Sequence, residues 1–280
     1  MLTVTQSSRR RTGIALAALA GAAALVVVFA LSRATHEATA TPVVAPPVPT
    51  ATATTAAPAA TRTAAIASAP AAAAAGDVIA APASPAPSID DVMQAQASGA
   101  IDVLVAGLSA TDAVVVAESA NGLVARGALS AIPSLVELDV VARPWAAPSV
   151  IYAMGRLAAL ASDEERGLAV ERLLALLAAE KERNSPEALA NLLHIYEALG
   201  HTGDARAIAP LEHELADRRV ATAPKVVVVQ ALVQLGARQS KPALERALVE
   251  LAPTLVGDDF EAAVRRDLEA AIREALVQLT

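Results

Sequence analysis

The sequence predicts an all-α fold: an α-solenoid of about four stacked helix pairs with capping helices, preceded by one transmembrane helix and a disordered linker. Three observations lead there. An uninterrupted apolar run follows a basic start, an Ala/Thr/Pro-rich stretch follows the run, and nearly everything after Ser88 carries apolar residues at helical spacing between capping residues.

The first element is the span. Arg9-Arg10-Arg11 precede Gly13 to Leu31, a run with no charged residue. At 1.5 Å per residue it reaches roughly 28 Å, close to a bilayer's hydrocarbon thickness. Only Arg33 follows closely, so the positive-inside bias puts a short basic tail, residues 1–12, in the cytoplasm. Residues 13–32 then form a signal anchor, and the remainder lies across the inner (cytoplasmic) membrane, in a periplasmic or extracellular space. A cleaved signal peptide is the competing reading, but its apolar core runs shorter and Ala30-Leu31-Ser32 is a mediocre cleavage site. Ser8-Arg9-Arg10 hints at a twin-arginine signal, against which Thr12 and Gly13 stand where that pattern prefers bulky apolar residues.

Residues 33–87 read as linker. Glu37, Arg62 and Asp77 are nearly its only charges after Arg33, its prolines deny helix hydrogen bonds, and it has too little large apolar surface to offset ordering entropy. As a coil it would span roughly 40 Å, and as polyproline roughly 170 Å. Thr and Pro on the outer side would also suit glycosylation.

The helical domain, 88–280, must pack without disulfides, because the 280-residue chain has no cysteine, and without aromatic bulk, because Phe, Trp and Tyr make up only 2% of it. Helix starts are marked by Ser88 with Asp90-Asp91, Ser162 with Glu165, Ser185 with Pro186, and Asp258 with Glu261. Apolar faces follow: Val170, Leu173, Leu174 and Leu177; Leu189, Leu192, Leu193, Tyr196 and Leu199; Phe260, Val264, Leu268, Ile272 and Leu276. Glu261 with Arg265 and Glu269 with Arg273 suit the solvated side of the last helix. Val226 to Val229 has strand propensity, yet Ala231-Leu-Val-Gln-Leu-Gly236 continues one helical face and ends on a glycine.

The helix pairs expected are Thr111–Val141, Pro148–Glu182, Pro186–Asp217 and Pro224–Leu251. Ala198-Leu-Gly-His-Thr-Gly-Asp-Ala-Arg-Ala-Ile-Ala-Pro-Leu211 resembles the HEAT-like repeats (the PBS lyase HEAT-like, armadillo-type family). Fainter echoes are Val233 to Leu244 and Gly127 to Leu135, and Leu199-Gly200 stands about 36 residues before Leu235-Gly236. Tyr196, Leu199, Gly200 and Ala205 also fit a tetratricopeptide pattern. The resemblance implies stacked helix pairs and a binding role; some enzymes of this class bind iron through His-Glu pairs.

Chemistry is sparse. His36, His194, His201 and His213 include His213-Glu214 and His36-Glu37, too few to assemble such an iron centre. Asp163-Glu164-Glu165 suits a helix N-terminus better than a cation site. No phosphate loop, nucleophile elbow or zinc-protease motif is present, so no catalytic residue, cofactor or metal is expected. From Ser88 onward 17 basic residues face 27 acidic ones, a balance of −10 that argues against nucleic acid. Trp145, in Arg143-Pro144-Trp145, either plugs a seam between repeats or is an exposed anchor for a partner. The expected function is therefore a membrane-anchored scaffold or adaptor for an unidentified protein or peptide. The alternatives are a HEAT-like enzyme or lyase-type factor, or a structural spacer in the envelope.

Overall fold

A computed structural model describes residues 86–183, 185–251 and 259–280, and among these it contains eleven α-helices and no strand. The expected tail, span and nearly all of the expected linker lie outside the described residues. Among those described, no helix is long and apolar enough to cross a membrane. Contacts gather Pro82–Thr280 into one compact unit.

Capping chemistry sets the helix starts. Ser88 and Asp91 form a full capping box at α1 (Ile89–Ser98), each accepting the other's backbone N–H, and the Ser88 hydroxyl, then the Ser88 N–H, hold the Asp91 carboxyl below its usual range by donating to it. After α1, Gly99 turns the chain into α2 (Ile101–Gly107), and Asp112 caps α3 (Ala113–Arg126). From the end of α3, the Arg126 guanidinium reaches back to the carbonyls of Gln96 and Ala97, where the α1 dipole is negative. Ser162 and Glu165 box the start of α6 (Asp163–Arg183), and Ser185 accepts from the Ala188 N–H at α7 (Pro186–His201). The anticipated cap at Asp258 lies outside the described residues.

One turn recurs. Gly127, Gly203 and Gly236 adopt left-handed φ values of 60°, 68° and 62°, a conformation that costs a Cβ-bearing residue about 1–2 kcal/mol. Each leads at the same interval into a short 3₁₀ turn (Leu129–Ala131, Ala205–Ala207, Arg238–Ser240) whose last residue is fully buried. These turns open α4 (Ile132–Glu137), α8 (Ile208–Ala216) and α10 (Lys241–Leu251). The structural equivalence is therefore Gly203 with Gly236, 33 residues apart. Gly200, paired in the sequence with Gly236, sits buried inside α7 instead. Val226 to Val229 lie within α9 (Thr222–Gln234), as expected from the helical face they share.

Alternate helices pack on one another. One row runs α3, α5 (Ala147–Ala158), α7, α9, α11 (Asp259–Gln278); α4 against α6 and α8 against α10 lie alongside, a solenoid-like arrangement with α1 and α2 on α3. The core is aliphatic, and among the described residues Tyr196 is its one fully buried aromatic ring. Two residues placed on core faces by their spacing are exposed: Leu189 at 41% and Phe260 at 44%. Leu189 adjoins buried Ala188 in the first turn of α7, so it is exposed by the side of the helix it occupies, the buried face being Ala188, Asn191, Ile195, Tyr196, Ala198 and Leu199; Phe260 stands in the first turn of the last helix.

Candidate functional site

The seams between neighbouring helices are built from small residues. A Cβ placed on Gly155 of α5 would lie 2.6 Å from the Ala198 carbonyl oxygen and 2.7 Å from its Cα, so the α5 and α7 backbones touch there. Gly200 of α7 meets Ala231 of α9 in the same way. Each contact joins positions near the C-terminal ends of both helices, so α5, α7 and α9 run in the same direction. Lys181, near the end of α6, likewise reaches Glu214 and Asp217 at the end of α8. The joints entering α5, α7 and α9 therefore share one edge of the fold.

Trp145 stands on that edge. Its joint is held by the backbone: the Arg143 N–H donates to the Val140 carbonyl, and the Ala146 and Ala147 N–H groups both donate to the Arg143 carbonyl. The Arg172 guanidinium adds a 2.8 Å bond to the Leu138 carbonyl, and the Ala142 N–H one to Asp139. The indole is nonetheless 88% exposed. It does not plug the seam: Val140, Ala146 and Ala147 fill that space, and helices drawn together at alanines leave no room for an indole.

Below this edge lies a polar cluster that the sequence did not reveal. The Tyr196 hydroxyl donates to Glu214 at 2.9 Å, and the Lys181 ammonium bonds the other Glu214 oxygen at 2.6 Å and Asp217 at 3.3 Å. Arg219 grips Asp217 through its Nε and Nη2. Beside it, buried Glu180 accepts from the Asn191 amide and from Arg183. Burial and the neighbouring Glu214 charge push the Tyr196 phenol up, while the Arg219 guanidinium holds the Asp217 carboxyl down. Burial lowers the Lys225 ammonium. Each acid in the cluster is already hydrogen-bonded to cations or amides, so the arrangement ties α6, α7 and α8 together rather than presenting a general base. Its signal in sequence is only Tyr196 on an otherwise apolar face; its partners come from other helices.

The three histidines among the described residues do not converge, and His36 lies outside them. His201 packs edge-on against Tyr152 with ring centroids 6.1 Å apart and lies 3.7 Å from Glu197. Burial lowers the His194 imidazole, and His213 is exposed on α8. Among the described residues no three His, Asp or Glu side chains are grouped to hold a metal ion. Asp163 and Glu165 serve the start of α6, through an ion pair to Arg166 and the capping box.

No family model matches this sequence, and none of the curated proteins is similar to it.

Proposed function

We propose that the helical unit is a protein-binding scaffold or adaptor: an α-solenoid of four HEAT-like helix pairs, held at the outer face of the cytoplasmic membrane by the apolar run Gly13–Leu31, that recognises a protein or peptide along the edge bearing Trp145. The observation that carries the reading is the exposure of that single tryptophan on a joint pinned by backbone bonds. A rigidly displayed indole offers a partner a large apolar contact at low entropic cost, and tryptophan is the residue type most enriched among binding hot spots. Stacked helix pairs supply a long continuous surface for the rest of such a contact.

The test is affinity capture from native membranes with the full chain and with Trp145→Ala. A partner retained by the parent chain and lost from the variant, while the variant keeps the parent's helical circular dichroism, is the expected result. Partners retained equally by both chains, or by neither, would overturn the assignment of Trp145.

A further inference from the structure

At the N-terminal end of the stack, α1 and α2 pack on α3 and leave a groove open along the seam between them. Asp91, Ala95 and Ser98 line it from α1, and Asp102, Val103 and Ala106 from α2. Ala95 is buried at the floor and Val103 is half-buried, while Asp91, Ser98, Asp102 and Ala106 are exposed. The charge here has one sign. From Ser88 to Ala125 the chain has five acidic residues and no lysine, arginine or histidine, half of the balance of −10 carried by the helical domain. Arg126, the first base, is engaged with the Gln96 and Ala97 carbonyls and does not line the groove. Asp91 takes both Ser88 bonds on Oδ2, and Asp102 has no ion pair among the described residues.

We propose that this groove docks a basic helix of a partner protein, whose apolar side chains seat on Ala95, Val103 and Ala106 while its lysines or arginines meet Asp91 and Asp102. Charge selects that occupant. The chain's own upstream segment has no base between Arg62 and Ser88, and its nearest charge is Asp77. A second copy would set acid against acid at the same rim. The groove follows α1 for about 15 Å, which matches nearly three turns of a partner helix. Alanines on both walls let the helix axes approach closely. Exposed ion pairs contribute little and are screened by salt, so the contact is weak, reversible and sensitive to ionic strength. This inference is independent of the reading of Trp145.

The chain has no cysteine, so a single introduced one reports proximity cleanly. The probe is a synthetic helical peptide with leucines on one face, lysines on the other and one cysteine at its end. The full chain in mild detergent, carrying Ser98→Cys, is expected to capture this peptide as a mixed disulfide at least about tenfold faster than a chain carrying Leu160→Cys, an exposed position outside the groove. In the Ser98→Cys chain, Asp102→Asn should slow capture about threefold and Ala106→Arg about tenfold. Asp267→Asn, which removes an exposed acid from α11, should leave the rate unchanged. Added salt should bring the rate at position 98 down toward that at 160. Equal rates at positions 98 and 160, equal capture of a peptide with glutamates in place of the lysines, or insensitivity to Asp102→Asn would each overturn the proposal. Disulfide dimers of the Ser98→Cys chain that the peptide does not suppress would assign the groove to a second copy instead. An internal disulfide in a Val78→Cys, Ser98→Cys chain that forms equally fast with and without peptide would assign it to the upstream segment, and either result overturns a basic partner. A fold intact by circular dichroism in every variant keeps the comparison valid.

Discussion

The Tyr196 hydroxyl donates to Glu214 across 2.9 Å, joining α7 to α8 through a carboxylate that is itself 3% exposed. Tyr196→Phe removes that donor and leaves Lys181 as the remaining partner of Glu214. The expected cost is about 1–3 kcal/mol, the range for a buried charged acceptor that loses one hydrogen bond, read as a lower midpoint in urea unfolding. An unchanged midpoint would mean that the bond adds nothing.

The same tyrosine gives the fold an alkaline limit. Its phenol is pushed above the ordinary value of 10.0, so above that pH the unfolded chain releases a proton that the native chain keeps. The stabilisation is present in full below pH 10 and is lost as pH rises past it. Urea midpoints measured from pH 8 to 11 should fall in the parent chain and fall less steeply in Tyr196→Phe.

Asp217 acts in the opposite direction. Arg219 and the Arg219 backbone N–H hold its carboxyl below the usual 3.8, so the native chain stays ionised where the unfolded one takes up a proton. That contribution is complete above pH 3.8 and disappears as pH falls below it. Asp217→Asn should flatten the acid limb of the stability profile between about pH 4 and 2; an unaltered slope would remove Asp217 from the account.

Glycine substitutions should separate two kinds of constraint. Gly155→Ala puts a methyl group against the Ala198 backbone and should cost about 1–3 kcal/mol despite alanine's better helix propensity. Gly203→Ala meets nothing within 4 Å, so its cost, about 1 kcal/mol, comes from the left-handed backbone alone. Denaturant midpoints in the order parent, Gly203→Ala, Gly155→Ala check both.

Trp145→Ala should alter stability by less than about 0.5 kcal/mol, since the indole is 88% exposed. A loss several times larger would return Trp145 to the interior.

Local chemistry made part of this fold legible. Ser88, Ser162 and Ser185 mark helix starts because a cap is a contact over three residues, visible in any window that contains it. The helicity of Val226 to Val229 could likewise be read from the face it continues. What escaped was tertiary. The exposure of Leu189 beside buried Ala188 depends on which side of α7 the neighbouring helices cover, and Glu180 finds Asn191 only because two helices fold back together. Gly200 and Gly203 both sit near a helix end, and only the packing of α9 assigns one to a close contact and the other to a turn. Trp145 sits at a joint, where periodicity has no bearing on the direction of a side chain.

The recurrence of one glycine-led turn after α3, α7 and α9 means that these junctions share a template, so the protein can grow by copying rather than by redesign. Inserting a second copy of residues 203–235 would add a rung whose borders are already matched to their neighbours. Length, and with it reach, is the property this architecture can change while every local rule of its assembly stays the same.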